Sequence, residues 1–208
     1  MNVATPVVLV VDDDPSVRKS LTNLISSAGF KVHAYESARE FLHRACPEGP
    51  CCLVLDVRLP GLSGLELQQE LLRARAAIPI IFITGYADIP TTVQAMKAGA
   101  VEFLPKPFCE ADLLDAIRDA LKRATAAHGR RTAVDSIRRR AALLTQREQQ
   151  VMQSLLTGLL NKQVAAELGI SEITVKIHRR RIMEKMAVSS MMELALKIEK
   201  LQMDGAFS

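Results

Sequence analysis

Four hydrophobic runs in this chain each stop at a residue able to handle a phosphoryl group. Val7-Val8-Leu9-Val10-Val11 leads into Asp12, Asp13 and Asp14, and Leu53-Val54-Leu55 leads into Asp56. Ile80-Ile81-Phe82-Ile83 ends at Thr84, and Phe103-Leu104-Pro105 ends at Lys106. Neighbouring carboxylates repel one another and draw in a hard cation; Mg2+ favours carboxylates, carbonyls and water. Beside such an ion, an isolated Asp56 carboxylate could attack phosphorus as a nucleophile. The Lys106 ammonium and the Thr84 hydroxyl could hold the oxygens of the transferred group. Taken singly, each of these residues is equally an ordinary polar residue at a strand end. Their combined order and spacing carry the reading.

Positioning them requires a particular architecture. Short, nearly continuous apolar runs alternating with helical patterns mark parallel strands buried on both faces. The pattern predicts strands at 7–11, 31–34, 53–55, 80–83 and 101–104, with helices at 15–27, 38–44, 64–74, 89–97 and from 110 onward. Five such repeats predict an α/β, doubly wound, five-stranded parallel sheet with right-handed crossovers. Ligands of such sheets bind beyond the carboxyl ends of the strands, so the acids, the hydroxyl and the ammonium would converge at one edge. Asp14 needs no site role: followed by Pro15, it reads as the N-cap of the first helix.

Composition narrows the class. The chain has 208 residues, 49% of them hydrophobic, and lacks the run of ~18 apolar residues that a membrane span needs. Its start has no basic segment ahead of a long apolar core, so no secretory leader is expected. Cys46, Cys51, Cys52 and Cys109 lack C-x-x-C spacing, and the four His add no ligand cluster. That usage fits a reducing cytoplasm better than a disulfide frame or a zinc site. Residues 1–122 carry 12 Lys and Arg against 15 Asp and Glu, a net of −3; residues 123–208 carry 15 against 8, a net of +7. An acidic module followed by a basic one suggests nucleic acid as a partner of the second.

The first ~120 positions resemble the receiver domain of bacterial two-component response regulators. The motifs are V-V-D-D-D-P, L-D-V-R-L-P-G-L-S-G, I-I-F-I-T-G and F-L-P-K-P-F, in that order. The resemblance implies Asp56 as phosphoacceptor, with Asp12, Asp13, Asp56 and the Arg58 main-chain carbonyl as ligands of Mg2+. It assigns Thr84 and Lys106 the hydroxyl and lysine roles, places a switch aromatic at Phe103, and implies a cis Lys106–Pro107 bond.

Residues 123–142 contain no Pro and one Gly, Gly129, and are rich in Ala and Arg. With Ile117, Leu121 and Ala124 extending an apolar stripe, the fifth helix is expected to run into this linker. Gly129 is the expected fraying point, costing ~1 kcal/mol relative to Ala. Beyond the linker the pattern is helical only. Thr145-Gln146-Arg147-Glu148 is a capping box, and Val151, Leu155 and Leu159 form a stripe. Asn161-Lys162-Gln163 opens a short helix ended by Gly169, and Ser171 caps the next. On that helix Val175, His178, Ile182 and Met186 share a face expected to pack inward, with Lys176, Ile177, Arg180 and Arg181 opposite and Arg179 on the flank. Helix, tight turn, helix, with a cationic front, suits the DNA major groove. His178 is expected to be a packed, hydrogen-bonded histidine rather than a catalytic one.

This half, 144–201, resembles the LuxR-type helix-turn-helix domain of NarL/FixJ response regulators, closest to the FixJ-like branch. L-T-x-R-E-x-x-V, G-L-x-N-K-x-V-A-x-x-L-G-I-S and T-V-K-x-H carry the likeness. The resemblance implies Lys176, Ile177 and Arg180 facing bases, and Thr174, Arg179, Asn161 and Lys162 holding phosphates. The run Arg179-Arg180-Arg181 is more charged than the pattern demands. Met191, Met192, Leu194 and Leu201 are expected to leave an apolar stripe for pairing with a second copy.

The expected organisation is a receiver at 1–122, a helical linker at 123–142 and an all-α, four-helix DNA-binding domain at 143–208. The expected function is transcriptional regulation, switched by a sensor histidine kinase that phosphorylates Asp56, with homodimerisation and binding to a double-stranded promoter operator as output. RNA polymerase is a further candidate partner, and no membrane is. No second catalytic base or nucleotide-binding glycine loop supports a phosphatase or phosphotransfer enzyme; the chain is not expected to be an enzyme beyond accepting phosphate on its own Asp56. An aromatic content of 4%, with no Trp, argues against a platform for single-stranded RNA.

Overall fold

A computed structural model of the chain describes residues 5–44, 47, 49–85 and 88–203. Its elements are β1 (Val7–Val11), α1 (Pro15–Ser27), β2 (Lys31–Tyr35), α2 (Ala38–His43), β3 (Cys51–Asp56), α3 (Gly64–Arg73), β4 (Ile80–Thr84), α4 (Ile89–Lys97), β5 (Glu102–Pro105), α5 (Glu110–Ala141), α6 (Gln146–Leu156), α7 (Asn161–Leu168), α8 (Glu172–Met186) and α9 (Met191–Met203). The five strands are parallel, in the order β2-β1-β3-β4-β5. Contacts divide the chain into two compact units, Met1–Gly129 and Arg130–Ser208.

Alternation along each strand supplies both faces of the sheet. Val8, Val10, Cys52, Val54, Ile81 and Ile83 join Leu21 and Ile25 of α1 and Leu113 and Ile117 of α5 in one core. Leu9, Val11, Leu53, Leu55, Phe82 and Phe103 join Phe41 of α2, Leu67 of α3 and Ala95 of α4 in the other. Double-sided burial explains the uninterrupted apolar runs. The strands also extend beyond those runs: β3 takes in Cys51, Cys52 and Asp56. Burial, helped by the neighbouring Cys51, pushes the Cys52 thiol up to about 12, which makes it an inert core group. Cys109 is exposed, and Cys46 lies outside the described residues.

Asp14 caps α1 as expected, accepting from the amides of Ser16 and Val17. The Lys106–Pro107 bond is cis. One expectation for the helices needs correction. The fifth helix does not fray at Gly129: α5 is continuous from Glu110 to Ala141, one Gly being a modest cost over 32 residues. Within the stretch read as a helical linker, Ile137 and Ala141 are buried in the core of the second unit.

In that unit Thr145 forms the capping box of α6, Gly169 ends α7 in the left-handed conformation at φ 66°, and Ser171 caps α8. Val175, Ile182 and Met186 are buried as expected. His178 packs half-buried beside them, but among the described residues its buried Nδ1 has no hydrogen-bond partner. The stripe on α9 differs from the expected one. Leu194 and Leu201 face their own core with Ile198, Met191 is half-buried, and only Met192 of the four is exposed. The apolar residues that α9 presents outward are Met192, Leu196 and Met203.

Candidate functional site

Register builds the acidic site. Val11 pairs with Leu55 across β1 and β3, so the next residues, Asp12 just past β1 and Asp56 at the last position of β3, stand side by side at the sheet's carboxyl edge. Asp12 is fully buried and Asp56 8% exposed. Carboxylate oxygens of Asp12, Asp13 and Asp56 lie within 4.8 Å of one another. Thr84 pairs with Pro105, and the Lys106 amide donates to the Thr84 carbonyl at 2.6 Å, which brings the lysine to the same edge. Its Nζ donates to Asp12 Oδ2 and Asp56 Oδ2, both at 2.8 Å.

Both oxygens of Asp56 are thereby fixed, Oδ2 by Lys106 and Oδ1 by the Arg58 amide at 3.0 Å. Burial raises Asp12 above the usual carboxylate range, against the opposing Lys106 and Asp14 hydrogen bonds. Burial also opposes the Lys106 charge, but hydrogen bonds to Asp12 and Asp56 and the pull of their charges outweigh it and hold its pKa above the ordinary lysine value. One ammonium for three clustered acids leaves net negative charge among hard oxygen donors. That donor set fits Mg2+.

Thr84 is fully buried at the end of β4. Phe103 is 9% exposed, opposite Phe82 in the β4–β5 register, with ring centroids 6.1 Å apart. It lies in the core rather than among the acids. Gly64 opens α3, and a Cβ there would collide with the Asp56 main-chain carbonyl. Its amide donates to Val57 at 3.0 Å. Only glycine lets the start of α3 close against the strand that presents Asp56.

In the second unit, α6, α7 and α8 hold the cationic surface. Asn161, Lys176, Arg179 and Arg180 line one surface groove with Met183 and Glu184. Lys162 and Ile177 are exposed outside it. Thr174 is half-buried, its hydroxyl 2.8 Å from that of Ser171. The orientation of α8 depends on Glu148, which the sequence marked only as a cap. Glu148 is 2% exposed and accepts from Lys185 near the end of α8 at 2.6 Å. Arg147 reaches the Leu168 carbonyl at the end of α7.

Comparison with known families matches residues 8–118 to the response regulator receiver domain and residues 142–198 to the bacterial regulatory proteins of the luxR family. The chain belongs to the two-component response regulators. It is similar to nodulation protein W of Bradyrhizobium diazoefficiens, 53% identical over 94% of this chain and 86% of that protein. It is 44% identical to the transcriptional regulatory protein FixJ of Azorhizobium caulinodans, over 89% of this chain and 88% of that one. The solved structure of the response regulator StyR is 52% identical with a TM-score of 0.87, covering 95% of this chain and all of that one. This response regulator is thus of the transcription-factor kind and not a catalytic enzyme. Among its described residues no helix is long and apolar enough to cross a membrane.

Proposed function

We propose that a sensor histidine kinase phosphorylates this response regulator on Asp56, and that the phosphorylated form dimerises and binds a promoter operator from the cytoplasm, where it engages RNA polymerase. The observation that carries the reading is the Lys106 ammonium bridging Asp12 and Asp56 at 2.8 Å each, at the carboxyl edge of a parallel sheet. One Asp56 oxygen forms the new bond to phosphorus as the bond to the donor nitrogen breaks, leaving an acyl phosphate. Lys106 holds the carboxylate in position and then faces the oxygens of the transferred group, as Thr84 does from the end of β4. Asp12, Asp13 and Asp56, with the Arg58 main-chain carbonyl, would hold Mg2+, which when bound offsets the charge on those oxygens.

Thr84 and Phe103 are buried. Phosphorylation would act as a population shift between this arrangement and one with Phe103 turned outward, which it disfavours. Exposed Ile89, Val93 and Met96 on α4, spaced i, i+4 and i+7, suit pairing of two receivers. In the second unit Lys176, Ile177 and Arg180 face bases, with Thr174, Arg179, Asn161 and Lys162 on phosphates. Leu160 precedes α7 as an N-cap with no side-chain acceptor; the Gln163 amide closes on the Leu160 carbonyl at 2.8 Å, which leaves the amides of Asn161 and Lys162 at the helix start to meet a phosphate.

Asp56→Asn tests the assignment. The variant is expected to take up no label from a small phosphodonor in the presence of Mg2+, while wild-type protein does; normal labelling of the variant would refute it.

A further inference from the structure

Helix α8 exposes more than positive charge. Ile173 is 70% exposed and Ile177 47%. They stand four residues apart on one face, interleaved with Lys176 and in line with Arg180, a stripe at i, i+3, i+4 and i+7. Isoleucine is not a strong helix former, and neither residue contributes to the core. Lys176 and Arg180 are held in the free protein by Glu172 at 3.1 Å and Glu184 at 2.8 Å. Both are exposed i, i+4 pairs, weak enough to yield to DNA. The two isoleucines have no comparable partner on the helix surface.

In the major groove the apolar feature that distinguishes one base pair from another is the C5-methyl of thymine. We propose that Ile173 and Ile177 are specificity residues that read thymine methyl groups, with Arg180 reading a guanine on the same track. The proposal rests on the DNA-reading assigned to α8 above and names the chemistry it selects. Ile173 is the second residue of α8, in the part of a recognition helix that enters the groove. Four residues of helix advance roughly 6 Å and seven roughly 10 Å. At 3.4 Å per base pair, the two methyls fall about two base pairs apart, and the guanine about three from the first. The positive charge of Lys176 and Arg180 adds attraction to any duplex, and the isoleucines add a preference for thymine at their own positions.

The experiment removes the methyl group and leaves base pairing intact. Duplexes are selected from a random pool with the full chain. The preferred one is then resynthesised with deoxyuridine replacing each thymine in turn, and binding is followed by fluorescence anisotropy at fixed salt. Wild-type protein is expected to lose ~4-fold in affinity at each of two thymines per half-site, the worth of one buried carbon. Ile173→Ala is expected to abolish the loss at one of them and keep it at the other. Ala favours the helix, so circular dichroism of this variant should be unchanged. If no thymine is sensitive while Arg180→Ala still erases preference over random duplex, methyl reading is overturned and base reading by α8 stands. If Ile173→Ala weakens thymine and deoxyuridine duplexes equally, Ile173 reads no methyl and the proposal fails. If wild-type protein never distinguishes selected from random duplex, the DNA-reading itself fails and takes this proposal with it.

Discussion

Removing the Lys106 ammonium separates its two effects on the acidic site. It occupies one oxygen of Asp12 and one of Asp56 at 2.8 Å, and its charge repels any cation that the acids attract. Lys106→Met should therefore bind Mg2+ about ten-fold tighter or more, a gain of ~1.4 kcal/mol, yet label poorly from a phosphodonor. Mg2+ affinity equal to wild type, read by titration, would show that the lysine does not compete with the metal. Glu148 tests a second ion pair. Burial works to raise its pKa, but the Lys185 hydrogen bond and the Thr145 groups outweigh it and hold Glu148 below the ordinary 4.5. A depressed folded-state value means stability fully present above about 4.5 and lost as the pH falls through the folded value. Glu148→Gln should then cost ~1–3 kcal/mol at pH 7, and the gap to wild type should narrow below pH ~4.5. Chemical denaturation across that range measures it, and a gap constant with pH would assign the cost to packing. Asp12, Asp13, Asp56, Thr84 and Lys106 were legible because each follows an apolar run, so sequence position alone fixes their edge of the sheet. The partner of Glu148 was not, since Lys185 lies 37 residues away and meets it only through the packing of α8 on α6.

At the scale of elements, α3 approaches β3 closely only because residue 64 has no side chain. Gly64→Ala would press a methyl into the Asp56 main chain, and overpacking of this kind typically costs ~1–3 kcal/mol. The melting temperature and the labelling of Asp56 should fall together; a drop in stability with normal labelling would mean that α3 does not position the acid. On α8, Arg180→Ala should lose ~1–3 kcal/mol on the preferred duplex and relax its preference, while Lys162→Ala should weaken all duplexes alike and lower the salt slope by about 1. An unchanged ratio of specific to random binding for Arg180→Ala would remove it from the bases. Strand and helix identity was readable from periodicity, and boundaries less so. Cys51 and Cys52 look unlike strand residues until the register with β1 buries them. On α9 the inward set is Met191, Leu194, Ile198 and Leu201, spaced three, four and three, which is the helical period. Met192 had been grouped with them by composition and falls on the opposite side.

Across the whole molecule, the sequence divides charge unequally, −3 over residues 1–122 and +7 over residues 123–208. The basic half is the one suited to DNA, and under the proposed reading the receiver acts by changing how many copies arrive together. A phosphoryl group adds roughly −1.5 to −2 charges at Asp56, within a few ångströms of Lys106, and favours whichever arrangement of Thr84 and Phe103 accommodates it best. Under the proposed switch that arrangement would set the surface beside α4, where Ile89, Val93 and Met96 are all exposed on one helix and form an apolar patch. Pairing of two receivers there would tether two basic helices. The second helix then binds at a raised effective concentration, worth 10²–10⁴-fold in affinity on a palindromic site, by an estimate on the order of that for tethered modules. Sedimentation of the intact response regulator with Mg2+, with and without beryllofluoride, should show a monomer turning into a dimer. Chelating the Mg2+ should return it to monomer, because the acids that hold the cation also receive the phosphate mimic. Ile89→Asp should block dimerisation yet leave Asp56 labelling intact, since Ile89 is exposed at the start of α4 and is not one of the residues that form the acidic site. A monomer under every condition, with DNA affinity nonetheless raised by beryllofluoride, would reject pairing through α4 and point to release of α8 within a single chain.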